Sequence, residues 1–203
     1  MAYVLAAVIG YLLGCSNMAI YISRYKKVDI RALGGKNPGT ANTVLVLGWI
    51  PGIIVGLHDI SKGVLAALIA KLLFPYYGGV AVVAGAACVI GHIYPVFMKF
   101  KGGKGFAAYI GMWLVVDWRV TLAILAVVVL VMVIFNYLTI GTTITVLSLP
   151  VYLSIFFAGW IALAAACIAT AAVVWNHREN YVRIYNGTEI GLRSAIKKEH
   201  RVS

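Results

Sequence analysis

Apolar runs of membrane-spanning length fill most of this chain and leave only short polar segments between them. Hydrophobic residues occupy 63% of its 203 positions, against about 45–50% in a soluble globular domain. A spanning helix takes roughly 20 mostly apolar residues, which leaves room for about six or seven helices and short loops. The runs fall at 2–23, 50–73, 77–97, 104–117, 119–137, 140–157 and 159–176. The expected fold is an all-α polytopic integral membrane protein of about seven transmembrane helices, forming one domain over 1–203. The fourth run is too short to cross comfortably and is expected to be tilted, shielded by its neighbours or re-entrant. The first carries no positive n-region and reads as a retained helix. A short interfacial helix is expected within 38–48, after Pro38.

Charge sets the orientation. Lys and Arg outnumber Asp and Glu by 17 to 6. The positive residues cluster at 24–36, at 99–104 and after 176. If all three clusters are cytoplasmic, an even number of crossings separates each pair. Seven spans meet that condition, with the N-terminus outside and the C-terminus inside, and five would meet it too. The same rule absorbs most of the net charge of +11. With no polar domain to present a groove, nucleic acid is not a partner, whereas anionic lipid headgroups are. Cys15, Cys88 and Cys167 sit singly in apolar runs and read as packing residues.

Two glycine-rich, lysine-bearing segments interrupt this pattern, 34-GGKNPGTAN-42 and 99-KFKGGKGF-106. Glycine reaches positive φ without strain, so several backbone N–H groups in such a turn can face one anion. In the second segment a phosphate is expected to meet the N–H groups of Gly102, Gly103 and Gly105, with Lys104 neutralising it at the positive end of the following helix. The spacing is not that of a Walker A loop, and a flexible basic turn reads equally well on those residues alone. In the first segment Asn37, Asn42 and neighbouring threonines suit hydroxyl or phosphate groups, or cap the next helix. His177, in 175-WNHREN-180, lies in a polar cluster with Asn180, Arg183 and Glu189. His92 reads first as a satisfied boundary residue. Asp59 and Lys62, three apart in an apolar run, share a helix face; such groups pair or line a polar cavity, and a structural ion pair is the favoured reading. The acidic residues are too few and scattered for a metal site, and no Cys–His or Ser–His–Asp set is present.

These motifs resemble the bacterial acyl-phosphate:glycerol-3-phosphate acyltransferases of the PlsY type, from 10-GYLLGCSN-17 to about Gly191. The likeness rests on Asp29-Ile30-Arg31 with 34-GGKNPGTAN-42, on Asp59 to Gly63, on Gly91, His92, Pro95 and Phe97 with 99-KFKGGKG-105, and on 177-HREN-180 with Arg183, Gly187 and Glu189. The resemblance implies a seven-helix inner-membrane enzyme, with motif loops near 24–48, 98–105 and 176–203 on the cytoplasmic side. Such an enzyme moves an acyl group from acyl phosphate to glycerol 3-phosphate, making lysophosphatidic acid and phosphate. The enzyme that forms acyl phosphate is a candidate partner, and no cofactor is implied. Catalytic roles would fall to Lys104, His177 and Asn180. Substrate contacts would fall to Arg31, Gly35, Lys36, Asn37, Asn42, Gly102, Gly103, Gly105 and Thr142.

The chain departs from the pattern at four positions. The family's serine is Gly35 and the glycine after it is Lys36. An arginine is Leu45, and a second serine is Thr142 or Thr143. Each lost charged contact is worth about 1.5–3 kcal/mol, and Lys36 restores charge but not bidentate geometry. An acceptor-switched or catalytically impaired acyl-phosphate-binding paralogue, or a small phosphate or lipid transporter, are the alternative readings.

Overall fold

The computed structural model describes residues 1–157, 159–191 and 193; the basic residues Lys197, Lys198 and Arg201 lie outside them. The regular structure among the described residues is all helical: α1 (Ala2–Gly14), α2 (Met18–Tyr25), α3 (Thr40–Leu47), α4 (Trp49–Leu73), α5 (Val80–Ile93), α6 (Phe106–Phe135), α7 (Leu138–Phe156), α8 (Trp160–Asn176) and α9 (Arg178–Tyr185), with a 3₁₀ turn at Val96–Met98.

The first apolar run breaks at Cys15–Asn17. Asn17 restarts it by accepting the Ile20 N–H at 3.1 Å, while its amide donates to the Pro38 carbonyl at 3.1 Å. One side chain thus caps α2 and anchors the polar loop that follows. α1 packs on α5 through backbone: a methyl group added at Gly10, Gly14 or Gly91 would collide with the carbonyls of Ala84, Cys88 or Tyr11 respectively. This is small-residue packing of the kind that lets membrane helices approach without a hydrophobic driving force between them.

α6 is two arms, not one rod. Asp117 is extended (φ −156°, ψ 99°). Its carboxylate accepts the N–H groups of Arg119 and Val120 at 3.0 and 3.1 Å, which caps the second arm, and takes the Tyr152 hydroxyl at 2.9 Å. A straight helix of this length would span about 45 Å. Yet Lys104, just before α6, bonds Asn180, while Asn136, just after it, accepts the Arg193 N–H at 2.8 Å. Both ends therefore lie on one side of the bundle, and the chain leaves and returns through Asp117. The short first arm is shielded, as expected: Ala108, Tyr109, Gly111, Met112 and Trp113 are buried. By length and apolarity five segments can cross a membrane, or six when α8 and α9, bent by 45°, count as one. The seven expected from sequence exceed that number because they take the two arms of α6 separately and include α8.

Pro150 sits inside α7 and cannot donate to the carbonyl of Val146 one turn back. That carbonyl is satisfied from neighbouring helices, by the Tyr109 hydroxyl and the Thr170 hydroxyl, each at 2.9 Å. Around this point Met112, Trp113, Val146, Leu149, Leu153, Ala166, Ala169 and Val173 form the core between α6, α7 and α8.

Candidate active site

The three basic segments meet at one end of the bundle. In the first, Asn42 folds the loop around itself. Its amide donates to the carbonyls of Ile30 and Leu33, at 2.9 and 3.2 Å, and its oxygen accepts the Gly35 N–H at 2.6 Å. Asn42 is 4% exposed, and both its amide hydrogens and its oxygen are engaged by loop backbone. It positions the loop that carries the other expected substrate contacts. The same bond occupies the Gly35 N–H. A methyl at Gly35 would stand 3.5 Å from the Asn42 oxygen, an ordinary contact, so space does not exclude a side chain there. Lys36 is exposed and left-handed (φ +53°), a conformation that favours glycine. Among the described residues the Asn37 side chain is unpartnered and remains available to a ligand. Arg31 joins this loop to the next by donating from Nη2 to the Lys101 carbonyl at 2.6 Å, while its buried Nε meets no acceptor among the described residues.

The second segment is seated on the end of α5. The Gly102 N–H donates to the Ile93 carbonyl at 3.0 Å and the Gly103 N–H to the His92 carbonyl at 3.1 Å. These two N–H groups were expected to meet a phosphate, and instead they hold the loop down. Both positions are glycine for contact reasons: a Cβ at Gly102 would strike the His92 carbonyl and Pro95, and one at Gly103 would strike the His92 ring. The donors left over are those of Lys104 and Gly105 and of the first turn of α6. Gly105 is left-handed (φ +88°), and the first helical bond is Tyr109 N–H to Gly105 carbonyl, at 2.9 Å. The N–H groups of Phe106, Ala107 and Ala108 thus have no intrahelical acceptor. They supply the positive helix end expected at this loop.

Lys104 reaches the third segment and donates to Asn180 Oδ1. Burial pushes its ammonium below the ordinary lysine range and the Arg183 charge adds to that, while Glu189 and Glu179 oppose it. Asn180 donates in turn to Glu189 Oε1 at 2.5 Å, and Arg183 Nε donates to Glu189 Oε2 at 2.6 Å. Glu189 and Arg183 therefore belong to the site, although the expected catalytic set did not include them. Their presence in the same polar cluster as His177 was the available signal. His177, 7% exposed, lies in the turn after α8, with Nδ1 at 2.8 Å from the Val173 carbonyl. A carbonyl only accepts, so Nδ1 carries the proton and Nε2 presents a lone pair. Burial holds this imidazole down to about 4, and it is neutral at pH 7.

Thr142 is 1% exposed and its hydroxyl turns back to the Leu138 carbonyl, at 3.2 Å. The Thr143 hydroxyl also turns back, to the Thr139 carbonyl at 2.9 Å, and in addition lies 2.8 Å from the Tyr181 hydroxyl, next to Asn180. Of the two, Thr143 joins the cluster and Thr142 does not.

Beneath the second loop lies a buried polar group. The Lys62 ammonium is 2.9 Å from Asp59 Oδ1, 2.6 Å from His92 Nδ1, and 2.7 and 3.2 Å from the carbonyls of Ser16 and Gly14. His58 bridges Asp59, at 3.3 Å, and Ser16 Oγ, at 3.0 Å. The expected ion pair is thus formed. Among the described residues no group of three His, Cys, Asp or Glu side chains is arranged to hold a metal ion.

The family model described as Glycerol-3-phosphate acyltransferase matches residues 4–187. Curated proteins of that name are similar along nearly their whole length. One from Thermoanaerobacter pseudethanolicus is 37% identical, over 96% of this chain and 98% of that protein. One from Clostridioides difficile is also 37% identical, over 93% and 94%. The fold is shared with crystal structures of PlsY, an integral membrane glycerol 3-phosphate acyltransferase. Its glycerol 3-phosphate form superposes with a TM-score of 0.87 at 31% identity, covering 95% of this chain and 96% of that one. Its lysophosphatidic acid form gives 0.84 at 30%, covering 96% and 97%. A membrane bundle that gathers its motif loops at one end, and that matches these proteins in sequence and in fold, belongs to the glycerol-3-phosphate acyltransferase family.

Proposed function

We propose that this chain transfers a fatty acyl group from acyl phosphate to the first hydroxyl of glycerol 3-phosphate, releasing phosphate and lysophosphatidic acid. The observation that carries the reading is the meeting of Lys104, its unoccupied neighbouring N–H groups, Asn180 and a neutral His177 in one partly buried cluster. The glycerol 3-phosphate and lysophosphatidic acid forms of the PlsY neighbour support the acceptor and the product.

Each group has a part that follows from its surroundings. Lys104 and the N–H groups of Gly105 and the first turn of α6 stabilise the departing phosphate as charge builds on it. Partial burial strengthens that interaction relative to water. Arg31 and Lys36 hold the acceptor phosphate, and Asn37 orients it. His177 Nε2 accepts a hydrogen bond from the nucleophilic hydroxyl. An imidazole held to about 4 is too weak a base to keep that proton, which passes to a substrate phosphate oxygen. The new ester C–O bond forms as the acyl carbon's bond to the phosphate oxygen breaks, with no covalent acyl-enzyme. Holding both reactants in line is worth several kcal/mol. The acyl chain lies along the apolar helix surfaces of an inner membrane that the chain crosses seven times, with the site at the cytoplasmic edge.

The test is lysophosphatidic acid formation by purified protein from acyl phosphate and labelled glycerol 3-phosphate, beside Lys104→Ala. Lysine-dependent product is expected. Equal turnover by Lys104→Ala would remove the phosphate loop from the mechanism. Acyl-phosphate binding without turnover would make the chain a binding paralogue.

A further inference from the structure

We propose that Lys62, held by Asp59, is a positioning residue for the loop carrying Lys104, acting through the ring of His92; the inference rests on the loop's proposed role with acyl phosphate. An ion pair serving only to fasten two helices needs one carboxylate and one cation. Here both charges sit on the same helix three residues apart, and the ammonium's three hydrogens are shared among Asp59 and three further acceptors. It reaches the carbonyls of Gly14 and Ser16, at the break between α1 and α2, and Nδ1 of His92, on α5. Lys62 and His92 are 4% and 3% exposed.

An ammonium only donates, so its 2.6 Å contact places the lone pair of His92 on Nδ1 and the ring proton on Nε2. The Asp59 oxygen 3.4 Å from Nδ1 is then held by the ammonium, not by the ring. With Nδ1 pinned, the Nε2 edge of the ring lies against Gly103, with no space between for a methyl group. The His92 carbonyl accepts the Gly103 N–H, and the next carbonyl accepts that of Gly102. The loop therefore rests on His92 by main chain and by ring, and the ring's angle is set by Lys62. Lys104 follows Gly103 directly. A turn of the His92 ring lifts or drops the backbone that aims the Lys104 side chain and the N–H groups beside it. The acceptor loop is folded by Asn42 and meets this loop through the Arg31 bond to the Lys101 carbonyl, ahead of the glycines that rest on His92, so the device bears chiefly on acyl phosphate.

The test compares Asp59→Leu/Lys62→Met, which removes both charges together and strands neither, with His92→Asn, which keeps an acceptor near Nδ1 but removes the ring under Gly103. Steady-state constants are measured for both substrates on detergent-purified protein, with Lys104→Ala as control. Expected is a rise of at least tenfold in KM for acyl phosphate in both variants, KM for glycerol 3-phosphate staying within twofold. Combining the two should bring no further rise, as required of groups acting in series. Unchanged KM values, with rates that follow only the folded fraction, would overturn the proposal and leave a structural pair. If the double-charge variant does not fold, His92→Asn decides alone on the same criterion, since it leaves the ion pair in place. Normal turnover by Lys104→Ala would instead sink the reading of the loop; a dead Lys104→Ala beside normal constants for the other variants sinks only the positioning role.

Discussion

The Val146 carbonyl offers a measurable account of how the bundle holds a proline in mid-helix. It is fully buried, has lost its helical donor to Pro150, and takes hydroxyls from Tyr109 and Thr170, which also lie 2.7 Å from each other. Tyr109→Phe removes one donor and leaves the other, so it should cost about 1 kcal/mol, in the range of membrane hydrogen bonds. In a Thr170→Val background the same change strands the carbonyl, and its cost should rise to about 2–3 kcal/mol. The difference, about 1–2 kcal/mol of coupling, comes from one acceptor with two interchangeable donors. Pro150→Ala restores an N–H to the helix and should abolish that coupling. Unfolding in mixed micelles, titrated with a denaturing detergent, measures all the variants on one scale. If Tyr109→Phe costs the same with and without Thr170, the carbonyl is not what the hydroxyls satisfy and the account fails.

Other consequences are more local. His177 is buried neutral at about 4 against about 6.5 in an unfolded chain. Its contribution to stability is therefore complete above pH 6.5 and is lost as pH falls toward 4, by up to about 3 kcal/mol. His177→Asn keeps a donor for the Val173 carbonyl and should flatten that part of the stability–pH curve; an unchanged slope would point to another group. Lys36→Gly should relieve about 1 kcal/mol of left-handed strain while raising KM for glycerol 3-phosphate, and a higher melting temperature with unchanged KM would remove Lys36 from the acceptor site. Glu189→Gln withdraws the carboxylate that supports the Lys104 charge. The alkaline limb of the rate profile should then move to lower pH; no movement would exclude Lys104 as the group titrating there.

What could be read from the sequence depended on how local its cause was. The apolar runs, the break near 117 and the short helix after Pro38 follow from hydropathy and from Pro and Asp placement, and they stand in the fold at Asp117 and Thr40–Leu47. Lys104 announced itself by its glycine neighbours. The reason for those glycines did not, because it lies in His92, ten residues before Gly102 and eleven before Gly103, and beneath that in Lys62 on another helix. Gly102 and Gly103 are small so that backbone can settle onto α5, a contact that no reading of 101-KGGKG-105 by itself contains. Asn42 is the opposite case: an amide in a polar loop suits a ligand, and only the fold shows that this one also bonds the turn that surrounds it. Thr142 and Thr143 could not be separated without the helix phase that sends only one toward Tyr181.

The glycine contacts between α1 and α5 extend the mechanism into a part of the chain with no chemistry of its own. Gly14 lies against the carbonyl of Cys88, one helical turn before His92, so the two main chains are stacked with nothing compressible between them. A single methyl group at Gly14 would have to move α5 bodily, and the floor beneath the phosphate loop would move with it. Residues that read as anonymous filler in a greasy first helix are thus a spacer ground to size, and an alanine there should disturb turnover from a place no substrate touches.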